Sequence, residues 1–254
     1  MKNSKIEWCD HTVNFWWGCK EVSEACKNCY ARELSKRFKK DCFGDNPRMF
    51  RIFRATNELF ALNNAIKDEY RKDIVFINSM SDFFEDVVSD EIRCTLWSVF
   101  KKCEKLNIMI LTKRAGAMAK HIESFADKIP CNVHFGITAE NQARLNERMK
   151  ALKNFKGKLF LSVEPMLGEL FLDDYRNKID WVICGGEKCN QKEQARPIYA
   201  LDVLNLRRQC MYFDIPFFFT QRGSHWIEGS YAPKEYDAKE YPIWALKGEV
   251  EVSE

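Results

Sequence analysis

Ile108-Met109-Ile110-Leu111-Thr112-Lys113-Arg114 is an apolar run that ends abruptly in a polar, cationic corner. It is short and carries no polar face, so it reads as a strand buried on both sides. A helical pattern follows over residues 117–125, and a second apolar run over 133–138. Strand, helix and strand in that order are the unit of a parallel sheet with right-handed crossovers. The pattern extends in both directions. Further strands are predicted at 12–16, 74–78, 159–163, 181–184 and 216–219. Further helices are predicted at 26–39, 55–70, 90–105, 141–152 and 201–213. Seven strands with six helices predict an α/β chain folded as a partial or complete (β/α) TIM-like barrel. An open doubly wound sheet is the second architecture that fits. No linker or repeat divides the 254 residues, which predicts a single domain over 1–254 with 223–254 as a C-terminal extension.

The composition is 46% hydrophobic and 13% aromatic, too apolar for a disordered chain. No apolar run approaches the ~18 residues of a membrane span. The first residues lack the apolar core of a signal peptide, so no membrane partner and a cytoplasmic location are expected. The net charge of +3 says little, but its distribution is uneven. Lys27, Arg32, Lys36, Arg37, Lys39, Lys40, Arg48, Arg51 and Arg54 face only Glu33, Asp41 and Asp45, a local excess of six positive charges. Such a stretch suits phosphates; it also suits a solvated helix and loop.

Eleven cysteines, without an export signal, argue against a disulfide framework. Cys94, Cys103, Cys184 and Cys210 fall within apolar patterns and read as core. Cys19, Cys26 and Cys29 do not. They form C-x6-C-x2-C, with Ser23 placed to cap a helix carrying Cys26 and Cys29 on its first turn. The helix dipole, Lys20 and Lys27 favour thiolates there. Three converging thiolates suit three irons of a [4Fe–4S] cluster, or a zinc site completed by Cys9, His11 or Cys42.

Nearly every strand runs into polar residues: Asn78-Ser79-Met80-Ser81-Asp82, Lys113-Arg114, Thr138-Ala139-Glu140-Asn141, Ser162-Val163-Glu164, Gly185-Gly186-Glu187 and Thr220-Gln221-Arg222. In a parallel barrel these ends meet on one rim, where active sites sit. Strand alternation puts Ser162 and Glu164 on the same side, where an unpaired carboxylate is costly unless Lys113, Arg114 or a ligand amine balances it.

Taken together, these segments resemble one family, the phage-associated three-cysteine-motif proteins. That family is radical S-adenosylmethionine (SAM)-like and distantly similar to spore photoproduct lyase-type radical SAM enzymes. The matching segments include Lys5-Ile6-Glu7-Trp8, Gly18-Cys19, Cys26-Lys27-Asn28-Cys29-Tyr30-Ala31, Asn78-Ser79-Met80-Ser81-Asp82-Phe83-Phe84, Ser162-Val163-Glu164-Pro165 and Cys184-Gly185-Gly186-Glu187. The resemblance implies a barrel of the radical SAM type, with a [4Fe–4S] cluster held by Cys19, Cys26 and Cys29. It also implies SAM on the open iron and an electron donor as partner. The usual loop of those enzymes is C-x3-C-x2-C, so this loop is longer. Their Gly-Gly-Glu segment follows the second strand and meets the SAM amino group, whereas here it follows about the sixth. Asn78, Ser79, Ser81 and Asp82, after the second strand, are therefore placed nearest SAM. Ser162, Gly185, Gly186 and Glu187 complete the cofactor-side candidates. Glu164, Asp82, Lys113 and Arg114 are the catalytic candidates.

The leading expectation is a radical SAM-like iron–sulfur enzyme acting on nucleic acid or a nucleotide. Phe15, Trp16, Trp17 and Tyr30 near the cysteines fit stacked bases. A non-catalytic nucleic-acid-binding phage protein with a structural zinc or iron–sulfur site is the alternative. A hydrolase built on Asp82, Glu164 and Glu187 ranks third, because the four histidines show no paired ligand spacing.

Overall fold

Seven short apolar runs pair edge to edge in chain order. They are β1 (His11–Val13), β2 (Asp73–Ile77), β3 (Leu106–Thr112), β4 (Val133–Thr138), β5 (Leu159–Val163), β6 (Ile179–Gly185) and β7 (Phe217–Gln221). Every neighbouring pair is parallel. The computed structural model describes residues 4–45, 47–68, 70, 72–189, 194–230 and 235–245. An unreversed order with right-handed crossovers keeps the helices on one face, and the twisted sheet curls. A doubly wound sheet has to reverse its order, so that architecture is excluded. The result is a half-barrel whose edge strands β1 and β7 are not neighbours.

The helices are α1 (Tyr30–Arg37), α2 (Ala55–Ala65), α3 (Asp90–Lys101), α4 (Ala115–Phe125), α5 (Gln142–Ala151) and α6 (Ala200–Tyr212). Leu59, Trp97, Met118, Leu145 and Val203 of α2 to α6 share one core with Val75, Ile108, Ile137, Leu161 and Val182 of the strands. The alternate strand residues Ile74, Phe76, Met109, Phe160, Trp181, Ile183 and Phe218 form a second core on the concave face. Segments around Trp8 and Trp244 fill that face. Trp8 lies among Phe76, Phe160 and Trp181, at ring-centroid distances of 4.9, 6.2 and 6.2 Å. Trp244 stacks on His134 at 3.8 Å, donates Nε1 to Asp180 and accepts from Asn107 Nδ2. Residues 235–245 of the expected extension thus reach the sheet; 231–234 and 246–254 lie outside the described residues. Among the described residues no helix is long and apolar enough to cross a membrane.

Four elements differ from the sequence expectation. The first strand stops at Val13, because Asn14 turns its side chain to Met80 N (2.8 Å). Trp16–Trp17 then pairs antiparallel with Phe50–Arg51, outside the main sheet. The expected helix over 26–39 is instead a 3-10 turn at Glu24–Cys26, a break, and α1 from Tyr30. Ser23 makes no side-chain cap, and Cys29 sits at the N-cap of α1. The expected helix over 55–70 ends at Ala65, where extended, buried Ile66 enters the core. The one expected over 90–105 ends at Lys101, since Asn132 Nδ2 collects the carbonyls of Phe100, Cys103 and Leu106.

Candidate functional site

All seven strands end at a single cavity of about 430 Å³, within the usual size of a small-molecule site. Cys19, Cys26 and Cys29 line it from the loop after β1. Opposite them are Asn78, Ser79, Ser81 and Asp82 after β2, and Lys113 and Arg114 after β3. Thr138 of β4, Ser162 and Glu164 of and after β5, Gly186 and Glu187 after β6, and Thr220 of β7 complete the ring. Trp8, Phe76 and Leu111 form an apolar wall, with Tyr30 and Phe43 in the lining beside the cysteine loop. Thirteen of the fourteen side chains and glycines that the sequence singles out therefore share one cavity.

The cysteine loop is held at several points by those strand ends. Gly18 N donates to Met80 O (3.0 Å), with φ +103°; a Cβ there would lie 2.0 Å from Cys42 O, so only glycine fits. Lys20, next to Cys19, donates its N–H to Glu85 (2.8 Å) and accepts from Arg114 Nη2 (3.0 Å). Arg114 also pairs with Glu85 and with Asp82, the latter at 3.2 Å, all three side chains being buried. Asp82 further accepts from Thr112 Oγ1 (2.6 Å), Lys113 N and Phe84 N. Glu24 accepts from Asn141 (2.6 Å) and Arg144 (2.8 Å) at the start of α5, and the Arg144 hydrogen bonds hold its carboxyl down at about 2. Asn28, between Cys26 and Cys29, donates to Glu187 (2.8 Å), which Arg196 holds from N (3.0 Å) and Nε (3.1 Å). Burial pushes the Glu187 carboxyl up, and its hydrogen bonds to Arg196 and Asn28 outweigh that, leaving it below its ordinary value. Tyr30 donates its hydroxyl to Ser79 O.

Arg114 and Glu187 thus contact the loop directly, and Asp82 pairs with Arg114 from behind. Glu85, which the sequence reading does not single out, belongs to the same framework. Gly185 is the one named residue outside the cavity lining. A Cβ there would meet Thr220 Oγ1 at 2.1 Å and Glu164 Oε1 at 3.1 Å, so it makes room for that pair.

Glu164 lines the cavity without a salt bridge among the described residues. It accepts from Thr220 Oγ1 (2.8 Å) and Ser162 Oγ (3.5 Å), and also hydrogen-bonds Trp8. Burial raises its carboxyl; the hydrogen bonds and the Lys113 charge oppose that without cancelling it. Lys113 Nζ reaches Thr138 Oγ1 at 3.4 Å. Asn78, at φ +59°, gives Oδ1 to Phe15 N, while its buried Nδ2 has no partner among the described residues. An amide donor left without a partner is costly, and a ligand acceptor would satisfy it.

Among the described residues, no group of three or more His, Cys, Asp or Glu is arranged to hold a metal ion. Zinc needs four donors around one point, at about 2.3 Å for sulfur. The zinc candidates Cys9, His11 and Cys42 are absent from the cavity lining. Cys9 is buried by the concave core, its thiol pushed up to about 12 by burial, and His11 pairs with Asp73 at 3.2 Å. Cys42 packs against Gly18. A cluster takes one thiolate per iron, and Cys19, Cys26 and Cys29 all line the one cavity. Burial raises the Cys19 thiol, and Asp82 and Cys29 add to it, so loading a metal there releases a proton.

The sequence reading places Thr138 and Thr220 on the rim without giving them a role, and misses Trp8 as a lining residue. Lys5-Ile6-Glu7-Trp8 is visible as a motif, but nothing in it says that the chain start folds into the barrel. A family model described as a protein of unknown function (DUF5131) matches residues 3–243. No curated protein and no solved structure matches the chain.

Proposed function

We propose that this chain, which belongs to the DUF5131 family, is an iron–sulfur enzyme of the radical SAM type. The observation that carries the reading is the placement of Cys19, Cys26 and Cys29 in one cavity at the C-terminal ends of a parallel half-barrel. The three thiolates would hold a [4Fe–4S] cluster and supply no fourth ligand, since Cys9, His11 and Cys42 are not in the lining. With SAM, such a cluster supplies one-electron hydrogen-abstraction chemistry.

The chain's own residues then have separable tasks. Glu85, Arg114, Glu187 and Arg196 fix the cysteine loop from both sides. Glu164 offers a carboxylate to an amine, and Lys113 an ammonium to a carboxylate, across the same cavity. Asn78 Nδ2 offers an unused donor beside them. Trp8, Phe76 and Leu111 exclude water from one wall, which favours radical chemistry by preventing side reactions. An external electron donor is required. The substrate we assign to nucleic acid or a nucleotide, on grounds developed below.

The test is anaerobic purification, iron and sulfide analysis, and incubation with SAM and a strong reductant. The proposal expects brown protein absorbing near ~400 nm and slow release of methionine and 5′-deoxyadenosine. Colourless protein holding zinc, or a loaded cluster without SAM cleavage, overturns it. The non-catalytic reading would then stand.

A further inference from the structure

Beside the cavity, α1, the short pair Trp16–Trp17 with Phe50–Arg51 and the segments flanking them form a wing that carries most of the basic stretch. Lys36, Lys39, Arg48, Arg51 and Arg54 are exposed on it. Glu33 pairs with Lys36 at 2.7 Å, whereas among the described residues Lys39, Arg48, Arg51 and Arg54 pair with no carboxylate. Three phenylalanines lie among these cations on the surface. Phe53 is 92% exposed, Phe38 59% and Phe50 39%. Lys40 Nζ sits 3.9 Å over the Phe50 ring, and Trp17 braces both Phe38 and Phe50, at 5.7 and 6.5 Å. The wing adjoins the cavity: Tyr30 and Ala31 of α1, and Phe43 of the loop behind it, line the cavity.

A solvated face explains the cations but not the rings. An almost wholly exposed Phe53 between Arg51 and Arg54 leaves apolar surface in water without covering any core. Cations that track phosphates, interleaved with aromatic faces that stack on bases, are the two requirements of a single-strand binding surface. A duplex hides its base faces and offers nothing to Phe53. An acidic peptide would use the cations and leave the rings idle.

We propose that the wing docks single-stranded nucleic acid, with a base stacked on Phe53 and phosphates on Arg48, Arg51 and Arg54. That the docked strand is the substrate of the adjoining cavity rests on the function proposed above; the docking itself does not.

The experiment is fluorescence anisotropy of the full chain with a labelled ~20-nucleotide single strand, as DNA and as RNA, at ~50 to ~300 mM salt, with duplex of the same sequence beside it. Each phosphate contact on a single strand contributes about −0.7 to the slope of log K against log salt. Arg48→Gln, Arg51→Gln and Arg54→Gln together should therefore make the slope shallower by about 2. Phe53→Ala should weaken binding about tenfold at every salt and leave the slope unchanged. Phe53 is exposed, so its loss does not threaten the fold. Absent binding at ~50 mM salt, duplex binding as tight as single strand, or binding indifferent to both variants each overturns the proposal. Iron content is measured on the same samples. Loss of binding in iron-loaded protein refutes the docking alone, and binding by iron-free protein upholds it independently of the cluster.

Discussion

Asn28, between Cys26 and Cys29, donates a 2.8 Å hydrogen bond to Glu187, 159 residues later at the end of β6. The cysteine loop is therefore shaped by the far side of the half-barrel, and Glu187 acts as a strut. Glu187→Gln leaves Arg196 without its counter-charge and weakens charge-assisted hydrogen bonds that contribute about 1.5–3 kcal/mol each. Iron content after anaerobic reconstitution should drop several-fold, while far-ultraviolet circular dichroism stays unchanged. Asn28→Ala removes one neutral donor and should lower iron content less. Full iron content in Glu187→Gln would remove the strut from the explanation.

Arg114 bridges Asp82, Glu85 and Lys20 O. Arg114→Ala strands two buried carboxylates, and removing one partner of a buried pair costs about 3–5 kcal/mol. Urea denaturation should show that loss in metal-free protein. A catalytic role without a structural one would lower turnover and leave the urea midpoint in place.

Glu164 gives the opposite pattern. Burial raises its folded-state pKa above the ordinary 4.5, so the folded chain holds the proton more tightly than the unfolded chain does. Stability then falls as pH rises from about 4.5 through the raised value. Glu164→Gln should be more stable than wild type at pH 8, and the gap should narrow towards pH 4. The same variant should lose SAM binding by calorimetry. Equal stability of the two proteins at both pH values would contradict the burial of the carboxyl.

His134, stacked on Trp244, tests the closure of the concave face by the chain end. Burial, then Lys72, depresses its pKa from 6.5 to about 4. The unfolded chain therefore binds its proton first as pH falls. The contribution of neutral His134 is complete above pH 6.5 and is lost between 6.5 and about 4. Wild type should lose urea resistance across that window by more than His134→Phe does. Parallel pH profiles would refute the stack.

The strands were legible because seven apolar runs carry their own period and end in polar residues. Val133–Thr138 and Leu159–Val163 are read to the residue. The shared cavity followed from parallel order alone, which brings Asp82, Lys113, Glu164 and Glu187 to one rim with the cysteines. What sequence could not supply was long-range pairing. A helix over 26–39 satisfies local spacing, but Asn28 is drawn to Glu187, and α1 starts only at Tyr30. That Arg114 also reaches Lys20 O and Glu85, and so ties the cysteine loop to Asp82, has no local signature either. Trp8 and Trp244 meet the concave face from opposite ends of the chain, a relation with no local signature.

Electron paramagnetic resonance of the anaerobically reconstituted, dithionite-reduced protein, recorded with and without SAM, bears most directly on three thiolates holding a cluster with one iron open to exchange. A cavity lined by Cys19, Cys26 and Cys29 and, among the described residues, by no further cysteine or histidine leads the proposal to expect a [4Fe–4S]⁺ signal. That signal should shift on adding SAM and vanish in Cys26→Ala, while remaining in Cys9→Ala. A cluster signal indifferent to SAM, or one that survives the loss of Cys26, would contradict it.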